Sequence, residues 1–312
     1  MRINSRPIRF VLFANYKSGT TWVQRLIGAH KDLHCGESRL FGSHFRPSNP
    51  TGPHITVEQT ATHLLQHLGI DKPSERFRRE LVFDLADAIA SRCSAETGKP
   101  LYGEKFTPYP GTAGHSLEML AEYDASIRLV HLIRDGRDVI VSAAAHALNV
   151  ARQRWAGGVC GAAPEDLQAE QQLLDRVIPD HIYEMTLNSW IDVNSSVLEA
   201  KSLFEHTLCV RYEDLLAEPY EVVLEMLRFI SGGSGVGVTP GQVAACVDAA
   251  SFRVLSGGRE AGHEDRESFF RKGVAGDWKN WFTVGQMQEF DERAGVLLEE
   301  FGYDRGIVEP MT

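Results

Sequence analysis

The strongest constraint on the fold is a pair of apolar runs, each followed at once by a short polar loop and then by a helical pattern. Residues 8–14, Ile-Arg-Phe-Val-Leu-Phe-Ala, form the first predicted strand, and Asn15-Tyr16-Lys17-Ser18-Gly19-Thr20-Thr21 follows as a turn of small and polar residues. Trp22 to His30 then places Trp22, Val23, Leu26 and Ile27 at helical spacing. In the second unit, Ser126–Ile133 carries Ile127, Leu129, Val130, Leu132 and Ile133 with little polar relief after Arg128, the mark of a strand buried on both faces. That strand ends at Arg134-Asp135-Gly136-Arg137-Asp138, and an Ala- and Val-rich helix runs over 137–149. Units of this kind need parallel strands joined by crossover helices.

The rest of the chain keeps that alternation. Further helices are predicted near 57–69, 75–92, 114–123, 183–203, 219–230, 240–250 and 283–301, with a short strand at 207–210. The expected fold class is α/β, with a mostly parallel central sheet flanked by helices. No internal repeat or linker breaks the 312 residues, so 1–312 is expected to be one domain. Three Gly-, Pro- or charge-rich stretches, 36–56, 152–182 and 256–276, are expected to be lid or substrate loops, the last of them mobile.

Composition excludes several function classes. A formal net charge of −10 argues against a general nucleic-acid binder, while leaving room for a small basic pocket. Cys35, Cys93, Cys160, Cys209 and Cys246 are odd in number, widely spaced and without a CxxC pair. A reducing compartment then fits better than a disulfide framework or a structural zinc site, and no convincing cluster of metal ligands is visible. The apolar stretch after Arg9 runs into Asn15-Tyr16-Lys17, too short for a secretion signal or a membrane span. A cytoplasmic protein without a membrane anchor is the expectation.

Both loops have the chemistry of anion sites. Gly19 lets the backbone approach a ligand, Ser18, Thr20 and Thr21 carry hydroxyls, and the helix beginning there aims free N–H groups into the loop. Lys17 is a mobile point charge suited to a phosphoryl or sulfuryl oxygen. The loop lacks the G-x-x-x-x-G-K-[ST] of nucleoside triphosphate enzymes, and by itself it is modest evidence, with a structural turn the alternative reading. Arg134 stands where open α/β sheets bind ligands, at a strand's carboxyl end, and Ser142 follows eight residues later. Arg137 and Asp138 read as a local ion pair or cap.

With these sites in view, the sequence resembles the sulfotransferases that use 3′-phosphoadenosine 5′-phosphosulfate (PAPS). Their Y-P-K-S-G-T-T-W loop corresponds to Asn15-Tyr16-Lys17-Ser18-Gly19-Thr20-Thr21-Trp22, with Tyr16 in place of Pro. Their 3′-phosphate motif resembles Arg134 to Val139 with Ser142. The most specific match is Arg271-Lys272-Gly273-Val274-Ala275-Gly276-Asp277-Trp278-Lys279-Asn280-Trp281-Phe282-Thr283, close to the R-K-G-x-x-G-D-W-K-N-x-F-T of cytosolic-type members. The resemblance implies a P-loop-like three-layer fold and contacts from Arg271, Lys272 and Gly273 to the 3′-phosphate. It also implies an adenine slot lined by Trp22, Tyr212 and Phe252, the product adenosine 3′,5′-bisphosphate, and no metal.

Sulfuryl transfer needs an in-line acceptor, a base for its proton and positive charge at the departing oxygen. Lys17 is expected in the last role. Glu104-Lys105-Phe106-Thr107-Pro108 resembles the E-K-[ST]-P segment of carbohydrate-type and bacterial members, which makes Glu104 the expected base and Lys105 a ligand of substrate or donor sulfate. Glu37 is a candidate to hold the acceptor or assist the base, His115 is the rival base, and His44 and His54 fall in the first lid. Other readings open at this level are a metal-dependent phosphoryl-transfer enzyme and a catalytically silent nucleotide-binding protein. The acceptor is expected to be a small alcohol, phenol, amine or glycoside. Trp278 and Trp281 fit the core or a homodimer interface equally well.

Overall fold

A five-stranded sheet organises the chain in the computed structural model, which describes residues 6–38, 40–41, 57–156, 171–172 and 175–306, without the side chains of 57–58 and 151–156. The strands are β1 (Ile8–Phe13), β2 (Leu33–Gly36), β3 (Leu101–Phe106), β4 (Arg128–Ile133) and β5 (His206–Arg211). They lie in the order β2-β3-β1-β4-β5, and every pairing among them is parallel. The helices are α1 (Thr20–Ala29), α2 (Val57–His67), α3 (Glu75–Thr97), α4 (Ala113–Asp124), α5 (Gly136–Ala156) and α6 (Asp180–Ala200). After β5 come α7 (Tyr212–Ala217), α8 (Pro219–Ser231), α9 (Pro240–Ala249), α10 (Phe252–Leu255) and α11 (Val284–Glu300).

Side chains alternating along β1 sort the helices into two outer layers. Ile8, Val11 and Phe13 share a core with Val82, Phe83, Leu117, Leu120 and Val197 of α3, α4 and α6. Phe10 and Leu12 point the other way, into Val23 and Leu26 of α1 and Val223, Leu227 and Val243 of α8 and α9. A register irregularity between Ile8 and Phe10 lets Ile8 and Val11, three residues apart, face the same side. A third cluster joins α5, α6 and α11 around Trp190 and Phe290, and it includes Trp278 and Trp281, each 6% exposed. Both tryptophans therefore belong to the core of this chain.

Two strands escaped the sequence reading. β2 is only four residues long, and β3, Leu-Tyr-Gly-Glu-Lys-Phe, carries Glu and Lys at its centre yet is buried throughout. Its charges are tolerated because each has a partner, described below. The strand order also fixes the position of the site. From β1 the chain runs out to the edge at β2 and returns to fill β3 beside β1, then crosses to β4 and β5 on the other side. The carboxyl ends of β1 and β4 thus flank the crevice where the winding direction reverses.

Candidate active site

The loop leaving β1 is held from behind. Ser189 Oγ donates to Asn15 Oδ1 (2.7 Å) and the hydroxyls of Tyr16 and Thr186 share a hydrogen bond of 2.7 Å, both from α6. Lys17 has φ 65° and Gly19 φ 95°, so the chain passes twice through the left-handed region within three residues. Gly19 precedes α1 with no side-chain cap, and no acidic residue sits in the first turn, so that helix start keeps its open N–H groups and partial positive charge. Gly19 has a second reason to be glycine: a Cβ there would stand 2.6 Å from the Tyr212 ring.

Arg134, at the end of β4, ties three parts together. Its guanidinium lies 4.4 Å from the centroid of Tyr212, donates to the Lys17 carbonyl (3.4 Å) and the Val274 carbonyl (3.2 Å), and keeps a buried Nε with no partner. Arg137 and Asp138 serve as a local ion pair and a backbone acceptor, though not with each other. Arg137 forms a fork with Asp135 and reaches the Asp304 and Arg305 carbonyls, while Asp138 accepts the N–H groups of Gly276 (2.6 Å) and Trp278 (3.0 Å). Asp138 thereby pins the 271–283 segment to the start of α5.

That segment brings two more cations. Arg271 and Lys272 each donate to buried Asp277 at 2.6 Å, and Arg271 also pairs with Glu264. Gly273, at φ 66°, presses its backbone against Phe252, where a Cβ would stand 2.4 Å from the ring. Residues 256–276 lack regular structure apart from the turn, yet Arg259 cross-links them through the carbonyls of His263, Phe270 and Arg271.

These elements enclose a cavity of about 290 Å³. Lys17, Lys105, Arg134, Arg271 and Lys272 line it against a single carboxylate, Glu37. Gly19, Thr20, Thr21, Ser142 and Gly273 share that wall, and Trp22, Tyr212, Leu216, Phe252 and Leu255 form an apolar slot at one end. Trp22 stands edge-on to Tyr212 (5.5 Å) and its indole N–H donates to the Ala250 carbonyl (2.9 Å), which fixes the slot's shape. Burial, and then the neighbouring Arg134, lowers the Lys17 pKa to about 8. Surplus buried cations, an uncapped helix start and an orphaned Arg134 Nε together fit a polyanion with a flat ring. Among the described residues no cluster of His, Cys, Asp or Glu has the geometry to hold a metal ion, and no helix is long and apolar enough to cross a membrane.

The carboxylates sort differently from the sequence expectation. Phe106 stands between Lys105 and Thr107, and β3 runs through it, so Glu104 lies within the strand on the α3–α4 face and is 1% exposed. Its Oε1 accepts from the Tyr102 hydroxyl (2.6 Å) and its Oε2 from the Ser38 N–H (2.8 Å); it does not line the cavity. Burial pushes its carboxyl above the ordinary value, against those hydrogen bonds. Glu37 is the carboxylate at the cavity, with Lys105 Nζ 2.6 Å from its Oε2.

Ser18 is buried off the cavity wall, and His115 is exposed on α4 away from it. His44 and His54, with most of the first two expected lids, lie outside the described residues. The sequence reading missed Tyr16, Thr107, His146, Phe269 and Phe270, all on the wall. His146 had a signal: it is one helical turn beyond Ser142 on α5, hence on the same face. Phe269 and Phe270 had none, since their placement depends on how 256–276 folds back.

A model of the sulfotransferase domain matches residues 7–302. The chain belongs to the sulfotransferase family. This sulfotransferase-family chain is 24% identical over 182 residues to 3-beta-hydroxysteroid sulfotransferase of Cavia porcellus, covering 54% of this chain and 55% of the relative. It is 23% identical over 301 residues to cytosolic sulfotransferase 9 of Arabidopsis thaliana, covering 93% and 77%. It thus spans about half the length of several curated relatives it matches. In fold it is similar to mouse sulfotransferase SULT7A1 complexed with PAP, at TM-score 0.54 and 17% identity over 95% of this chain and 89% of that one. It is equally similar to the sulfotransferase domain of the Synechococcus PCC 7002 olefin synthase, at TM-score 0.54 and 16% identity over 97% of both chains.

Proposed function

We propose that this protein transfers a sulfuryl group from PAPS to a hydroxyl or amine of a small-molecule acceptor. The observation that carries the proposal is the cavity itself, with five cations against one carboxylate beside an aromatic slot. When bound, PAPS supplies an activated sulfuryl group on a phosphate leaving group. Trp22, Tyr212 and Phe252 hold the adenine. Arg134, Ser142, Arg271, Lys272 and the Gly273 N–H hold the 3′-phosphate, and buried Asp277 keeps two of those cations in place beforehand. The N–H groups and hydroxyls of Thr20 and Thr21 hold the 5′ end. Lys17 stabilises the negative charge that develops on the departing oxygen.

The acceptor side is formed by Glu37, Lys105 and Thr107 at the ends of β2 and β3, with Phe269 and Phe270 opposite. The Glu37–Lys105 pair orients a polar group, and the two rings cover its apolar part. Glu104 acts in this reading by holding Ser38, and so the short segment that carries Glu37. Calorimetry with adenosine 3′,5′-bisphosphate in EDTA, followed by transfer of labelled sulfate from PAPS to a panel of alcohols, phenols and amines, tests the proposal. Binding without metal and a sulfated product are expected; binding confined to ATP with magnesium would overturn it.

A further inference from the structure

The proposed reaction leaves a proton to be removed, and one imidazole in the cavity has no assigned task. His146 lines the same wall as Lys17, four residues beyond Ser142 on α5. Its ring stands nearly perpendicular to that of Phe269, with centroids 5.9 Å apart, and Lys17 Nζ lies 4.4 Å from the centroid of the same Phe269 ring. Among the described residues no hydrogen bond holds the imidazole, whereas Glu37 is engaged by Lys105 and Glu104 by two donors.

We infer that His146 takes the proton from the acceptor, and that it becomes competent when the anionic donor fills the cavity. The inference rests on the sulfotransferase reading. Lys17 is the charged group that acts directly on His146, and the cavity they share is also lined by Glu37 and Lys105 from β2 and β3, Arg134 from β4, and Arg271 and Lys272 from the C-terminal segment. Without an anion these are mainly positive. Burial, and then Lys17, holds the free imidazole down at about 4, so it is neutral but a weak base. Phosphate charges placed among the same cations offset the repulsion from Lys17 and so favour the imidazolium.

The step balances. The acceptor oxygen forms its bond to sulfur as its proton passes to the His146 ring nitrogen, and the bond from sulfur to the 5′-phosphate oxygen breaks, leaving its electron pair on that oxygen beside Lys17. His146 returns the proton to solvent after product release. Linking basicity to donor binding keeps acceptor activation from preceding donor arrival.

The test follows His146 by NMR titration of the full chain, free and with adenosine 3′,5′-bisphosphate, alongside His146→Gln. Its titration should rise by roughly one to three pH units on binding. His146→Gln should bind the bisphosphate like the wild type. With benzyl alcohol as acceptor its kcat should fall by roughly 10²-fold or more, and with the far more acidic 4-nitrophenol much less. An unchanged titration, equal losses with both acceptors, or Glu37→Gln alone removing the dependence on acceptor acidity would each overturn the inference. A wild-type protein that neither binds the bisphosphate nor sulfates either probe would instead overturn the parent reading.

Discussion

The ring of Tyr212 lies across the α-carbon of Gly19, so close that a Cβ on Gly19 would stand 2.6 Å from it. The contact joins the loop after β1 to the first turn of α7, and Arg134 stacks on the same ring at 4.4 Å. Gly19→Ala adds this clash to a left-handed φ, a strain of about 1–3 kcal/mol. Thermal unfolding should show a lower Tm, and calorimetry should show weakened bisphosphate binding. Wild-type binding by this variant would remove the loop from the donor site.

Lys17 carries a pH signature. Below a pH of about 8 it is charged in the free protein, and an anion beside it raises its pKa. Affinity for adenosine 3′,5′-bisphosphate should therefore fall as pH climbs through 8, with proton uptake on binding in that range. Calorimetry in buffers of different ionisation heat measures the uptake. Lys17→Met should abolish it and weaken binding roughly 10- to 100-fold.

Much of this architecture was legible in the chain, for identifiable reasons. The β1 and β4 units announced themselves because a strand buried on both faces is a continuous apolar run, and residues of both their loops line the cavity. β3 was hidden because Glu104 and Lys105 break its apolar run, and their partners, Tyr102, Ser38 and Glu37, come together only through folding. The same blindness affected the carboxylates. Local spacing named Glu104, but alternation along β3 puts it on the α3–α4 face with Tyr102 and Phe106, while Glu37 lies at the cavity beyond β2. His146 was missed although it lies one turn beyond Ser142, because Phe269 and Lys17 reach it only across space.

Two carboxylates near Arg271 should behave oppositely. Asp277 is buried and holds both Arg271 and Lys272, so Asp277→Asn should cost about 3–5 kcal/mol of stability and impair nucleotide binding. Glu264 also pairs with Arg271 but is less deeply buried. Glu264→Gln should leave Tm nearly unchanged and tighten bisphosphate binding by roughly two- to fivefold. Chemical denaturation and calorimetry on both variants provide the comparison.

Glu104→Gln distinguishes a supporting carboxylate from a reacting one. The substitution disturbs the acceptor pair offered to Tyr102 and Ser38, so the expected result is a higher acceptor KM with bisphosphate binding intact. A loss of kcat by roughly 10²-fold or more at unchanged KM would mark Glu104 as the proton acceptor. Steady-state kinetics with one acceptor suffices.

The strand order has a consequence for where substitutions act. Groups assigned to the donor follow β1, β4 and β5 or come from α10 and the 271–283 segment, while Glu37 and Thr107 leave the flank built by β2 and β3. Under the proposed function, substitutions on that flank should alter acceptor KM while leaving bisphosphate affinity unchanged. β1 and β4 are inner strands and β2 is an edge strand, so a substitution on the acceptor flank disturbs fewer strand pairings than one beside the donor loops.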